Sequence, residues 1–190
     1  MTRVLSAVAV AALVAAAAAG AGRADNRHPS RPGAQGRAAA STSRRIDVVA
    51  ELERQTLLAI NNVRREHGLV PLRVNPALVS AARGHSRSMA EHGYFGHESR
   101  DGSAFWKRIM SVYPPLPGRY WATGENLVWA SPELTAKAAV EMWLRRPAHR
   151  KNLLRAAWRE VGLGGVRAVA PPGVYQGLDV TILTADFGVR

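Results

Sequence analysis

"EVGLGGVRAVA" (Glu160–Ala170) and "VYQGLDVTILTADFG" (Val174–Gly188) are rich in Val, Ile, Leu and Thr, and Pro171, Pro172 and Gly173 lie between them. β-branched residues on either side of a Pro-Pro-Gly turn predict a hairpin with a long, well-buried second strand. Upstream the period changes. Val49, Leu52, Thr56, Ala59, Ile60, Val63 and His67 recur at three- and four-residue steps, the face of an amphipathic helix over roughly 46–67, ended by Gly68. Asn75 is an N-cap with Pro76 in the first turn, and Leu78, Ala82, His85 and Met89 form the buried stripe of a second helix, about 76–92, stopped by Gly93. Ser103–Val112 predicts a short third helix. Ser131, Pro132 and Glu133 predict the start of a fourth, running to about Arg146, with one or two further turns beyond Pro147. "ENLVWA" reads as a short strand or turn. Helices come first and strands mostly late, without strand–helix alternation, so the fold class is α+β.

The chain has 190 residues, one domain with appendages. Thr2 and Arg3 precede an uncharged Ala/Val/Leu run of 16 residues, Val4–Ala19, and small residues follow at Gly20 to Ala24. That is the anatomy of a secretory signal peptide over 1–24, with Ala21 or Ala24 before the cut. An uncleaved anchor is the alternative, but the run is shorter than the ~20 residues of a spanning helix. Residues 25–45 combine Pro, Gly, Ser and Ala with five Arg and one Asp, a basic linker without apolar period. The domain is 46–190. It carries +6 of the total +12. An exported basic protein meets anionic envelope polymers or lipid headgroups rather than nucleic acid. Arginine outnumbers lysine 23 to 3, so GC-rich coding is a second cause of the charge. With no cysteine there is no disulfide and no thiolate nucleophile or ligand, and the core alone must hold the domain.

"TGENLVWA" (Thr123–Ala130) places Glu125 directly before an apolar run, where a carboxylate is costly unless paired. Five of the six histidines lie in the domain. His67 and His92 close helices; His67 reads as a cap and His92 as a cap or surface residue. His85 lies on a buried stripe and reads as a hydrogen-bonded core residue. His97 follows "GYFG" in a loop, and His149 follows Pro147 and Ala148 at the start of a helical turn, where the positive helix end favours a neutral imidazole. His97, Glu125 and His149 are therefore a candidate trio of two neutral nitrogens and one carboxylate, able to hold a metal ion or orient a water. His97 and His149 are candidate Zn²⁺ ligands, and Glu125 is the candidate catalytic residue. Asp179 and Asp186 read as strand-edge or structural residues. Trp143 and Trp129 read as core, and Trp121 as more open to a surface role. There is no GxSxG elbow, phosphate-binding loop or HExxH.

"NNVRREHGLVPLRVNPALVSAARGHSRSMA", "YFGH", "GENLVWA", "AAVEMWLRRPAHRKNLL", "EVGLGG" and "ADFG", in this order over Leu57–Gly188, resemble the CAP superfamily of cysteine-rich secretory, antigen 5 and pathogenesis-related proteins in its exported bacterial form. The resemblance implies a three-layer α-β-α sandwich with a mainly antiparallel sheet, and His97, Glu125 and His149 around a central cavity. Members are associated with sterol or lipid binding, metal binding and occasionally proteolysis. In four-residue sites of the family a second glutamate follows the tryptophan helix. Three residues past Trp143 this chain has Arg146, and Glu141 falls on another helix face.

These readings make the protein an exported binding module for a lipid, glycan or protein of the cell envelope, with a cavity for a candidate divalent metal. A hydrolase using Glu125 as general base is the second reading, and a structural module the third.

Overall fold

A computed structural model describes residues 45–190. The expected signal peptide and nearly all of the basic linker lie outside the described residues. Five strands form one sheet: β1 (Ile46–Val48), β2 (Arg73–Val74), β3 (Ala122–Ala130), β4 (Glu160–Ala168) and β5 (Val180–Val189). Their order is β1-β4-β5-β3, antiparallel throughout, and β2 joins the outer edge of β4 in parallel. Five helices surround it: α1 (Ala50–Glu66), α2 (Pro76–His92), α3 (Phe105–Val112), α4 (Ala136–Arg145) and α5 (Pro147–Leu153).

The layering follows from the two-residue period of β5. Leu183, Ala185 and Phe187 point to one face and meet α1, α4 and the end of α5 through Ile60, Val140, Trp143 and Leu153. Val180, Ile182, Thr184 and Asp186 point to the other face, where Met89 and Ala90 of α2 pack. Leu78 of α2 and Ile109 of α3 extend that layer. This is the α-β-α sandwich that the motifs implied. Two glycines set the distance of α2. A Cβ at Gly162 would fall 2.0 Å from the carbonyl carbon of Leu78, and one at Gly164 would fall 2.2 Å from that of Ala82. The helix backbone rests directly on β4, and the Ser86 hydroxyl seals the contact by donating to the Gly164 carbonyl at 2.7 Å.

Buried polar side chains tie the ends together. Arg64 on α1 donates to the carbonyls of Val70, Leu153 and Arg155, fastening α1 to the exit of α5. Asn61 brackets the backbone of Leu72, donating to its carbonyl and accepting from its amide. The Asn75 side chain accepts from the amides of Ala77 and Leu78, as its N-cap position predicts.

Three expectations change. Ile46–Val48 is a strand rather than the first helical turn, because it pairs with Val166–Ala168 on the open edge of β4. α4 begins at Ala136, with the Thr135 hydroxyl accepting from the Ala138 amide; Ser131–Glu133 form the turn that leaves β3. "ENLVWA" belongs to a nine-residue strand, fully paired with β5.

Candidate functional site

The Gly-Glu-Asn triplet divides its work by strand alternation. Gly124 leaves room: a Cβ there would sit 2.4 Å from Asn152 Oδ1 and 2.8 Å from the Trp158 ring. Asn126 points the same way, donating to the carbonyl of His149 at 3.1 Å and accepting from Asn152 at 3.0 Å. Those bonds hold α5, and hence His149, against β3. Glu125 points to the opposite face, under α2 and α3.

There its side chain has no solvent exposure. One oxygen accepts from His97 Nδ1 at 2.7 Å, and the other accepts from Arg108 of α3. Since the carboxylate can only accept, Nδ1 carries the imidazole proton, and in neutral His97 the Nε2 lone pair is left free. Arg108 also donates to the Ser99 hydroxyl at 3.1 Å, and so clamps the loop that carries His97. His85 supports the same loop from below. Its Nε2 donates to the Gly96 carbonyl at 2.9 Å and lies 4.0 Å from Glu125.

The second carboxylate of the face is Asp186, directly opposite Glu125 on β5. It is completely buried, and its oxygens accept from no donor; the group beside it is the Glu125 carboxylate, which accepts once Asp186 is protonated. Burial, and then the Glu125 charge beside it, push its carboxyl well above the usual range, so it holds a proton at neutral pH. Burial opposes the charge of Glu125 too, but the His97 hydrogen bond, with Arg108 and His85, outweighs it and keeps Glu125 ionised. Burial lowers His85. His149 is pushed down to about 4 by burial first, then by His97 and Arg146, so its imidazole is neutral at pH 7. Its Nδ1 is buried without a partner.

The structure thus joins Glu125 to His97 and brings His149 within electrostatic reach of His97. It adds three residues that the sequence reading placed elsewhere or passed over. His85 is the expected hydrogen-bonded core histidine, but it also braces the site. Arg108 carries one legible signal, a cation on a short helix with no acidic residue between Asp101 and Glu125. Asp186 is not at a strand edge: it is central in β5, and the argument that singled out Glu125 applies to it equally. Asp179 does act structurally, accepting from the Ala170 amide in the hairpin turn. Trp143 is core, Trp129 packs edge-on against Tyr175, and Trp121 is half-buried with its N–H donated to the Tyr113 carbonyl.

The residues do not fit a zinc ion well. Both oxygens of Glu125 and one nitrogen of His97 are already engaged, and the Arg108 cation sits where a metal would compete for the carboxylate. Two imidazole nitrogens remain, against the three or four protein donors of a zinc site. Among the described residues no group of three or more His, Asp or Glu side chains is placed to hold a metal ion.

The sequence model of the CAP family, described as the cysteine-rich secretory protein family, matches residues 57–171. The uncharacterized protein YkwD of Bacillus subtilis is 30% identical over 121 residues, which cover 63% of this chain and 44% of that protein. The chain therefore spans less than half the length of this curated relative. Among solved structures, an extracellular protein containing an SCP domain from Bacillus anthracis is 26% identical with a TM-score of 0.58, over 74% of this chain and 41% of the other. An outer surface protein of Borrelia burgdorferi has a TM-score of 0.59 at 19% identity, over 76% of this chain and 98% of its own, a likeness of fold.

Proposed function

From its membership of the cysteine-rich secretory protein (CAP) family, with a match over residues 57–171, we propose that this chain is an exported, non-enzymatic binding module of the cell envelope or its exterior. Its ligand presents hydrogen-bonding oxygen or nitrogen atoms to His97 and His149. The observation that carries this reading is the state of Glu125. A carboxylate with both oxygens engaged, no exposed surface and a lowered pKa is a poor general base, because it has neither a free lone pair directed at a water nor the affinity to take its proton. Its role is to orient His97 and Arg108. The groups a ligand can reach are His97, Arg108 and half-buried His149, which offer imidazole nitrogens and N–H donors. A polar group of an envelope lipid, a glycan or a protein suits that set. Export is supported by the signal-peptide anatomy of residues 1–24 and by the extracellular and outer-surface origin of the two structural relatives. Among the described residues no helix is long and apolar enough to cross a membrane.

The test is imidazole-detected NMR against a panel of envelope glycan fragments, phospholipid headgroup analogues and peptides. A true ligand shifts the His97 and His149 resonances, and His97→Ala and His149→Ala each weaken its binding about tenfold. Glu125-dependent turnover of any panel member overturns the reading in favour of the hydrolase.

A further inference from the structure

We propose that the segment Met110–Tyr120 is a docking tip for an anionic lipid bilayer. This goes beyond the imidazole site and rests on a different surface, so it stands even if His97 and His149 bind nothing. Between Asp101 and Glu125 the chain has no acidic residue. Within that stretch Met110, Val112, Leu116 and Tyr120 all project into solvent, Tyr120 with 61% of its surface exposed. Scattered apolar residues need no explanation, but here Leu116 opens a tight turn and Tyr120 follows it, Val112 ends the helix that leads into that turn, and Met110 lies on another side of the same helix.

The patch is held open. Tyr113 is fully buried at its base, and the Trp121 indole donates to the Tyr113 carbonyl at 2.9 Å, closing the loop's two ends on each other. The Arg119 amide donates to the Leu116 carbonyl in a tight turn, with Gly118 at φ 70°. Pro114, Pro115 and Pro117 stiffen the rest. Leu116 and Tyr120 therefore cannot collapse onto the domain to hide their surface.

Cations surround the tip. Arg155 donates to the Tyr120 hydroxyl at 2.7 Å while stacking on Trp158. Arg190 lies over the Tyr113 ring and donates to the Pro114 carbonyl. Arg119 is in the loop itself and exposed. A soluble polyanion would engage these arginines and leave Val112 and Leu116 bare. An anionic bilayer uses both sets: apolar tips enter the headgroup–acyl boundary while guanidinium groups stay at the phosphate level. So small a patch gives reversible, surface-only attachment.

The absence of cysteine makes a site-resolved test direct. In the full chain, Leu116→Cys and, as a control on the opposite helical layer, Leu58→Cys each carry one environment-sensitive fluorophore. Both positions are exposed, and unchanged thermal unfolding confirms that the fold is kept. Vesicles of phosphatidylglycerol with phosphatidylcholine should blue-shift the label at 116 and leave the label at 58 unmoved. Arg119→Glu should weaken the vesicle response of the 116 label roughly 25-fold, since it changes the charge by two units and each near-surface charge is worth about fivefold. The proposal is overturned by a silent 116 label, by equal responses at 58 and 116, by equal response to pure phosphatidylcholine, or by an equal blue shift with soluble polyphosphate. Attachment through the apolar N-terminal segment alone leaves 116 silent and so does not count as support.

Discussion

Strands β3 and β5 each place one carboxylate on the same face, in direct register, with no solvent contact. Glu125 has a histidine and an arginine on its two oxygens and stays ionised; Asp186 accepts from no donor and keeps its proton, which the neighbouring Glu125 carboxylate can accept. Burial is the same for both, so burial does not decide the charge. The loops that reach β3 do. β3 is the terminal strand of the sheet, open to the His97 loop and to α3, whereas β5 is enclosed between β3 and β4. Next to Asp186 on the far side lies Gly162, whose missing side chain is replaced by the backbone of α2. No donor can enter there.

The largest effect should come from removing the ionised partner. Glu125→Gln leaves an amide facing the Arg108 guanidinium and is expected to cost about 3–5 kcal/mol in denaturant unfolding at pH 7, as for other broken buried ion pairs. A cost below about 1 kcal/mol would make Glu125 no more constrained than Asp186. Arg108→Met should cost about 2–3 kcal/mol, because His97 still holds one carboxylate oxygen. It should also loosen the His97 loop, seen as faster amide exchange at Gly96 and His97.

Asp186→Asn should act in the opposite direction. The folded Asp186 pKa is raised, so the wild-type fold keeps a proton that the unfolded chain releases above pH ~3.8. Wild-type stability therefore falls as pH rises through that value towards the raised folded one. The amide variant escapes this loss and should be more stable than wild type at pH 7, a gain that shrinks on acidification and vanishes near pH ~3.5. A gain that grows on acidification would reverse the assignment of the two charges. His149 gives a smaller and separate signal. With its folded pKa at about 4 and its unfolded pKa near 6.5, its contribution is intact above pH 6.5 and lost as pH falls towards 4. His149→Gln should flatten that part of the stability profile by on the order of 1 kcal/mol, discounted for partial exposure. The smallest expected effect is that of metal: calorimetric titration of Zn²⁺ should give no saturable heat that depends on His97 and His149.

Much of this arrangement was legible in the chain. The strand-rich run ending in "ADFG" and the caps at Asn75 and Gly93 led to the α+β class, the costly position of Glu125 to a histidine partner for that carboxylate, and the resemblance of the ordered motifs to the sandwich. These signals are local or tied to motifs in a known order. What the chain did not disclose is who else stands beside Glu125. Arg108 comes from a helix 17 residues upstream, and Asp186 from a strand 61 residues downstream. Nothing in either local pattern says that "ENLVWA" is a full strand paired with β5. Strand register is a long-range choice, made by the fit of both faces against their helices, and a one-residue slip would have turned Asp186 away from Glu125. The sequence by itself determined that a buried carboxylate must find a cation or a donor, because the cost of burying a bare charge is local and general. Only the tertiary structure decided that Glu125 took every partner and Asp186 took the proton, because donors are shared out by which strand the loops can reach.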